Sequence, residues 1–300
     1  MAIGFTLPQF GRMARDAAGI AGFATEAEKA GASSLWVADR ILAPVNPSIG
    51  YPGAGGDFPP EFRSVHDPLA LLALAAGVTS RVKLGSSTIN ATWYPPPLLA
   101  RALTSIDQLS GGRLIAGFGI GWSPEEYQAV GVDWPRRGAR LDELLDVLDA
   151  LWAGGTAEYQ GDFYTLPATR QDLVPAQRPR PPVHLGTFTE AGLRRIGQRA
   201  DGWLPTWMVP ERFPVERLVE GWATVRRFAE QAGRDPDSLT QVLRVNVVAG
   251  VPVETVADEV RAVTARLHPA DAFVELNYLA GTTAEAIDVA GRLLELVDAG

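Results

Sequence analysis

Cysteine is absent from the 300-residue sequence, and this absence excludes several kinds of chemistry. Without a thiol, the chain can form no disulfide framework, no thiolate nucleophile and no Cys-ligated zinc or iron–sulfur site. The three histidines, His66, His184 and His268, show no metal-ligand spacing, so we expect no metal site. A chain without cysteine is typical of the reducing cytoplasm, which is the expected location.

Long apolar runs and an excess of basic residues are missing too. The longest apolar run, residues 69–78, is about half as long as a membrane span requires. Residues 1–9 lack the pattern of a secretion signal. The chain has 27 Lys and Arg residues and 35 Asp and Glu residues, a net charge of −8. Such a charge repels phosphate backbones and anionic lipids, so we expect neither nucleic acid nor membrane as a partner.

Strand and helix patterns alternate along the chain. Short apolar runs typical of buried strands cover residues 3–7, 34–38, 82–90, 114–119, 183–186, 202–205, 239–249 and 272–276. Helical patterns follow at residues 16–30, 67–79, 95–109, 136–152, 190–199, 215–233, 253–267 and 284–298. Eight such α/β units predict a single (β/α)8 TIM barrel over residues 1–300, with an open doubly wound sheet as the alternative. Insertions are expected at 41–63, after strand 2, and at 154–180, between helix 4 and strand 5.

In such a barrel, the reacting groups lie where strands end and the following loops begin. Asp39 and Arg40 follow the second strand directly, and they form either a functional pair or an ion pair that only orders the loop. Residues 85–88, Gly-Ser-Ser-Thr, place small side chains in the third strand. This pattern indicates either the close approach of a ligand or a tight corner of the core.

Two further loops could hold an anion. Alternating glycines at 117–121 can present backbone amides, although a full dinucleotide fingerprint would need glycine at the position of Trp122. Thr187 and Thr189 precede a helix whose first amides lack intrahelical partners. These threonines are therefore either anion ligands or helix caps.

The loop at residues 41–63 is too long for a simple connection and is rich in proline and glycine. Its aromatic residues Tyr51, Phe58 and Phe62 predict a lid that covers an apolar substrate and excludes water, with a disordered loop as the alternative. His66 stands at the end of this loop, where it could face the barrel mouth. It is therefore a candidate catalytic residue.

Several motifs resemble the bacterial luciferase-like monooxygenase family, and in particular its deazaflavin-dependent oxidoreductase branch. They are Ala-Asp-Arg at 38–40, His-Asp-Pro at 66–68, Leu-Ser-Gly-Gly-Arg-Leu at 109–114, Gly-Ile-Gly-Trp at 119–122, Glu-Glu-Tyr at 125–127 and Ala-Asp-Gly-Trp-Leu-Pro at 200–205. Roughly residues 1–210 match in order, whereas residues 211–300 fit only in length and in strand–helix rhythm. The family fold is the barrel already inferred.

The resemblance implies where a cofactor lies. Its ring is expected against a bulge at Ser87 and Thr88, which in the family often contains a non-proline cis peptide. The positions that contact the cofactor or grip its phosphate correspond to Asp39, Asn90, Ile120, Gly121, Thr187, Phe188 and Thr189.

Two departures from the family pattern bear on mechanism. The chain resembles the sugar-phosphate dehydrogenases of this branch, but those enzymes carry a histidine at the position of Arg40 and a glutamate at that of Trp122. Without that acid–base pair, Trp122 and the lid aromatics favour a larger or more apolar substrate. Arg40 stays charged, so we expect it to orient an anionic group. Arg40, His66 and Trp122 are the candidate catalytic residues.

The resemblance implies an oxidoreductase in which coenzyme F420 exchanges a hydride, through its deazaflavin C5, with an unsaturated or carbonyl-type small molecule. An FMN-dependent monooxygenase is the alternative. A barrel that binds a ligand without turnover, or an isomerase, is the third hypothesis. Family members pair as homodimers, and the apolar helices at 69–78 and 98–109 could supply the contact face.

Overall fold

Residues 1–51 and 58–299 are described by a computed structural model of the chain. Most of the strands in this part of the chain join one parallel sheet, and two form a separate hairpin. The strands are β1 (Ile3–Thr6), β2 (Ser34–Val37), β3 (Lys83–Ser86), β4 (Ile89–Asn90), β5 (Leu114–Gly119), β6 (Gly155–Gln160), β7 (Thr165–Gln171), β8 (Val183–Leu185), β9 (Gly202–Trp203), β10 (Thr206–Val209), β11 (Thr240–Val247) and β12 (Asp271–Val274).

The parallel sheet closes into a barrel. The order around the ring is β1, β2, β3, β5, β8, β9, β11 and β12, and β12 pairs back with β1. After β3 ends, the short strand β4 takes its place in the barrel and pairs with β5. After β9 ends, β10 does the same and pairs with β11. The predicted TIM barrel is therefore confirmed, and the open doubly wound sheet is excluded, because such a sheet has two free edges.

Helices surround the barrel. They are α1 (Gly11–Ala14), α2 (Ile20–Ala30), α3 (Pro68–Val78), α4 (Pro96–Ser110), α5 (Pro124–Ala129), α6 (Arg137–Ala153), α7 (Glu190–Arg199), α8 (Glu216–Gln231), α9 (Val253–Leu267) and α10 (Thr283–Asp298). Asp67 caps α3 by accepting a hydrogen bond from the backbone N–H of Ala70 at 2.8 Å. Gly111, with φ at 68°, ends α4 in the left-handed conformation that glycine favours. None of the described helices is both long and apolar enough to cross a membrane.

The barrel interior contains its own apolar cluster, separate from the layer between sheet and helices. Trp36 stacks on Phe273 with ring centroids 4.4 Å apart, and Ile115, Leu204 and Val242 complete the cluster. A methyl group at Gly85 would collide with the Trp36 ring. Of the two interpretations for this glycine, the structure therefore supports the tight core corner.

The structure refines three sequence-based boundaries. The insertion at 154–180 contains the antiparallel β6–β7 hairpin, which its polar composition did not reveal. The predicted strand at 82–90 is interrupted at residues 87 and 88, and the predicted helix at 16–30 begins with a 3-10 turn at residues 17–19. Residues 52–57 of the predicted lid lie outside the described part of the chain.

Candidate active site

A cavity of about 510 Å³ opens at the carboxyl ends of the barrel strands. This is the end at which TIM barrels present their reacting groups. The described residues that line the cavity are Phe10, Ala38, Asp39, Arg40, Tyr51, Phe62, Ser87, Thr88, Asn90, Trp122, Gly186, Thr187, Phe188, Leu204, Thr206, Met208, Phe213, Arg217, Arg244, Asn246 and Glu275. Eight residues predicted for the site are among them: Asp39, Arg40, Ser87, Thr88, Asn90, Trp122, Thr187 and Phe188.

The carboxyl group of Asp39 lies in the cavity wall, two residues after β2 ends, and Asp39 is only 3% exposed. Its Oδ2 accepts hydrogen bonds from the backbone N–H of Asn90 and from the hydroxyl of Tyr94, both at 3.1 Å. Its Oδ1 has no hydrogen-bond partner among the described residues. Burial raises the pKa of Asp39 to about 7, although the bonds from Asn90 and Tyr94 act in the opposite direction. An unpartnered buried oxygen in a cavity wall is a position where a ligand can bind.

The peptide bond between Ser87 and Thr88 is cis, as the resemblance implies for this bulge. Arg244, on β11, donates a hydrogen bond across the barrel to the carbonyl oxygen of Ser87. The same guanidinium donates to Oδ1 of Asn246 at 2.7 Å and to Oε2 of Glu275 at 3.0 Å. The bulge is therefore held in place by a charged network from the last third of the chain.

The guanidinium of Arg40 is buried against aromatic rings and a carboxylate. It donates to Oε2 of Glu126, on α5, at 2.5 Å, and both side chains are buried. It also lies 4.3 Å from the ring centroid of Trp122 and 5.2 Å from that of Phe62. Burial lowers the pKa of Arg40 and raises that of Glu126, while their mutual attraction opposes both shifts. The ion pair balances the charge of Arg40, while its Nε has no hydrogen-bond partner among the described residues. The expectation that Arg40 orients an anionic group stays a prediction.

Three aromatic rings lie over the guanidinium of Arg40, and a fourth, Tyr51, packs on two of them. We call these four side chains the aromatic wall: Tyr51, Phe58, Phe62 and Trp122. The ring of Trp122 lies 5.3 Å from that of Tyr51 and 5.0 Å from that of Phe58. Tyr51 also meets the edge of Phe62 at 5.3 Å. Tyr51 and Phe58 of the predicted lid thus pack on Trp122, and Tyr51, Phe62 and Trp122 form an aromatic side of the cavity.

The loop after β8, the neighbour of β5, forms another part of the rim. Thr187 and Phe188 line the cavity, and Thr189 is the N-cap of α7, where its hydroxyl accepts from the N–H of Gly192 at 3.2 Å. Arg217, in the first turn of α8, lies 5.1 Å from the ring centroid of Phe188. No described acidic residue forms an ion pair with Arg217. A helix N-terminus beside a free guanidinium can bind an anion.

Some predicted residues do not line the cavity. The ring of His66 is turned away, with its Nε2 2.7 Å from the carbonyl oxygen of Ala14. The carbonyl of Ile120 accepts a hydrogen bond from the hydroxyl of Tyr127, and Gly121 packs beside Asn90 and Trp93. His66 is therefore not among the described residues that line the cavity.

The alternating glycines at 117–121 have a packing role in the structure. A side chain at Gly117 would collide with the carbonyl oxygen of Ser86, and one at Gly119 would collide with Thr88. Ser86 and Gly117 also exchange two hydrogen bonds, at 2.8 and 3.0 Å. These two glycines lie within β5 and let β3 and β4 approach it, so they do not form the phosphate cradle that the pattern suggested.

The residues of the site that were not selected from the sequence include five ionisable ones: Tyr94, Glu126, Arg217, Arg244 and Glu275. Two sequence signals were available. Arg244 is a charged residue inside an apolar strand, and Glu275 follows the last strand directly, at a position where a barrel places reacting groups. The sequence alone did not indicate a partner for Arg40.

A sequence model of the luciferase-like monooxygenase family matches residues 1–297. An uncharacterised protein of Mycobacterium tuberculosis is 33% identical over 214 residues, covering 70% of this chain and 71% of the relative. A phthiodiolone/phenolphthiodiolone dimycocerosates ketoreductase of the same species is 31% identical over 244 residues. That match covers 79% of this chain and 62% of the ketoreductase.

Three solved structures share the fold at low sequence identity. A monooxygenase from Streptomyces bottropensis has a TM-score of 0.76 at 20% identity, covering 99% of this chain and 97% of the other. An F420-dependent secondary alcohol dehydrogenase has a TM-score of 0.74 at 16% identity, covering 99% and 98%. The oxygenating constituent of a diketocamphane monooxygenase from Pseudomonas putida, in complex with FMN, has a TM-score of 0.67 at 17% identity, covering 87% and 70%. From the family match over nearly its whole length, the chain belongs to the luciferase-like monooxygenase family.

Proposed function

We propose that this protein is an F420-dependent oxidoreductase that exchanges a hydride between the deazaflavin C5 and a carbonyl-type or unsaturated small molecule. The observation that carries the proposal is the polar side of the cavity, where Asp39, Asn90 and the cis peptide at residues 87 and 88 lie together with one carboxyl oxygen unpartnered. The resemblance of residues 1–210 to the deazaflavin branch supports this cofactor. The ketoreductase name of one relative supports a carbonyl substrate.

The described residues fit a deazaflavin. A cavity of about 510 Å³ lies within the usual range for small-molecule and cofactor sites. Asp39, Ser87, Thr88 and Asn90 would hold the ring. When bound, the deazaflavin supplies or accepts the hydride.

The phosphate of the cofactor would lie at the part of the rim that the loop after β8 forms. Thr187, Phe188, the first amides of α7 and Arg217 surround that position. Thr189 would order the loop through its cap on α7. For Ile120 and Gly121, a cofactor role stays a prediction from the resemblance.

The substrate would be neutral and largely apolar. The aromatic wall offers rings, and the charge of Arg40 behind it is balanced by Glu126 at 2.5 Å. An anionic substrate would find no free cation on this side of the cavity among the described residues. An apolar ketone suits the aromatic wall, and the name of the ketoreductase relative supports a ketone.

An FMN-dependent monooxygenase is the second candidate. Its support is that this fold carries FMN in the diketocamphane enzyme and F420 in the alcohol dehydrogenase, so the scaffold accepts both cofactors. The two candidates differ in their need for oxygen, since only the monooxygenase consumes it.

Anaerobic turnover tests the proposal. The purified protein is mixed with reduced F420 and a long-chain methyl ketone or cyclohexenone, and the appearance of oxidised F420 is followed by absorbance. We expect oxidation of the cofactor in step with alcohol or saturated-ketone formation. Product that forms only with reduced FMN and oxygen would instead support the monooxygenase.

We also propose that the chain forms a homodimer through α3 and α4. These neighbouring helices expose Leu74, Val78, Leu98 and Leu109, the last at 65%. Sedimentation at micromolar concentration should give a dimer, and Leu109→Glu should shift it towards monomer. Monomer alone for the unaltered protein would contradict the proposal. The cytoplasmic location likewise stays a proposal from composition.

A further inference from the structure

The reduction of a carbonyl group needs a proton as well as a hydride, and the following inference rests on the function proposed above. His66 does not reach the cavity, because its ring contacts the carbonyl oxygen of Ala14. The proton must therefore come from solvent or from another side chain in the cavity lining. The described lining residues with ionisable side chains are Asp39, Arg40, Tyr51, Arg217, Arg244 and Glu275.

Most of these side chains are poor proton donors. Arginine does not release its proton at physiological pH, which removes Arg40, Arg217 and Arg244. Burial raises the pKa of Tyr51 above its ordinary value, so its phenol is a weaker acid than in water. Glu275 forms an ion pair with Arg244 at 3.0 Å, so one of its carboxyl oxygens is already held by a guanidinium.

Asp39 differs from all of them in its contacts. Its carboxyl group is buried, and both hydrogen bonds that it accepts reach the same oxygen, Oδ2. The other oxygen, Oδ1, is buried without a partner, so a proton carried there meets no competing protein acceptor among the described residues.

The charges around Asp39 also favour a bound proton. Burial is the main cause that raises the pKa of Asp39, the hydrogen bonds from Asn90 and Tyr94 lower it, and the nearby carboxylates of Glu126 and Asp67 add a smaller rise; together these effects give a pKa of about 7. The adjacent Arg40 attracts Asp39 through its charge, but its guanidinium donates its hydrogen bond to Glu126 and none to Asp39.

We propose that Asp39 is the proton donor of this enzyme. In the reducing direction, a bound reduced deazaflavin would supply the hydride to the carbonyl carbon of the substrate, and the π electron pair of the C=O bond would move to the oxygen. Asp39 gives its carboxyl proton to that oxygen, which yields the alcohol and the Asp39 carboxylate. The carboxylate then regains a proton from solvent. In the oxidising direction, the carboxylate removes the hydroxyl proton.

Infrared difference spectroscopy tests whether Asp39 holds the proton, without any turnover. The protein free of cofactor is titrated across neutral pH, and the carbonyl stretch of a protonated carboxylic acid is followed. We expect a band that disappears with a midpoint near pH 7, that Asp39→Asn removes and that Glu275→Gln leaves in place. A spectrum without such a band would overturn the proposal even if the protein binds F420.

Kinetics then separate a proton donor from a cofactor ligand. With reduced F420 and a long-chain methyl ketone, we expect Asp39→Asn to lower kcat by about 100-fold or more, while the Kd for F420 changes far less. A variant that loses F420 affinity but keeps kcat would make Asp39 a cofactor ligand only and would overturn the proposal.

Tyr94→Phe supplies a second test, which remains available if Asp39→Asn does not fold. The hydroxyl of Tyr94 stabilises the Asp39 carboxylate, so its removal raises the pKa of Asp39. The infrared midpoint and the alkaline fall of kcat should both move to higher pH in this variant. A midpoint that stays in place would contradict the assignment, since a purely structural tyrosine would not move it.

Discussion

The guanidinium of Arg40 and the carboxylate of Glu126 form an ion pair at 2.5 Å in the wall of the barrel mouth. Their side chains are 6% and 0% exposed, and the ring of Trp122 covers the guanidinium at 4.3 Å. The second oxygen of Glu126 accepts from the N–H of Ile41 at 3.0 Å, so the pair also anchors the start of the 41–63 loop. The ion pair therefore holds Arg40 in place beneath the aromatic wall, and the carboxylate of Glu126 balances its charge.

Removal of one partner should therefore destabilise the protein strongly. Glu126→Gln leaves Arg40 charged and buried without its counter-ion, and we expect a loss of about 3–5 kcal/mol in the free energy of unfolding. Urea unfolding measures this loss. The control is Glu190→Gln, which breaks the exposed pair with Arg194 and should cost less than about 1 kcal/mol. Equal losses for the two variants would contradict the buried pairing.

The buried acid Asp39 should make stability depend on pH. Its pKa is about 7 in the folded protein, above the ordinary value of 3.8, so the folded state binds more protons between these values. Stability is therefore lost as the pH rises from about 4 to about 7. Asp39→Asn removes this dependence.

We expect Asp39→Asn to gain about 1–3 kcal/mol relative to the unaltered protein between about pH 4.5 and pH 8. Urea unfolding of both proteins at the two pH values gives the difference. A constant difference across this range would mean that Asp39 is ionised in the folded protein at low pH.

Gly85 should be intolerant of a side chain. A methyl group there would collide with the ring of Trp36, which fills the barrel interior against Phe273. We expect Gly85→Ala to destabilise the protein by about 1–3 kcal/mol, as overpacking does. Gly22→Ala is the matched control, because nothing lies within 4 Å of the added methyl group on α2, and helix propensity favours alanine there. Thermal unfolding distinguishes the two, and similar Tm values would contradict the packing argument.

Arg217 should contribute to cofactor affinity through charge. We expect Arg217→Ala to raise the Kd for F420 about tenfold, and the effect should shrink at high salt. Arg227→Ala is the control, because Arg227 lies on the same helix, packs over Phe228 and does not line the cavity. A fluorescence titration at low and high salt measures both variants. Equal Kd values for Arg217→Ala and Arg227→Ala would remove Arg217 from the proposed phosphate position.

The barrel could be predicted from the sequence because it depends on local periodicity. The helix end at Gly111 and the cap at Asp67 follow from residue types whose backbone preferences are intrinsic. The β6–β7 hairpin was missed because its strands are largely exposed, and exposed polar strands carry no apolar pattern.

The site could be predicted only where local sequence patterns fix the position of a residue. Asp39 and Asn90 follow from strand ends and from the family resemblance, which fix positions along the chain. Tertiary packing decides the direction of the His66 ring and the pairing of Arg40 with Glu126. Arg40 and Glu126 are 86 residues apart in the sequence. Arg244 reaches Ser87 from 157 residues away, and no local pattern encodes such a contact.

The most direct test of the account is an equilibrium titration of the same purified protein with F420 and with FMN, followed by fluorescence under matched conditions. The account predicts binding of F420 with a Kd at or below about the micromolar range and much weaker binding of FMN. Preferred binding of FMN would contradict the hydride-transfer proposal and support the monooxygenase, and binding of neither would contradict the cofactor assignment for this cavity.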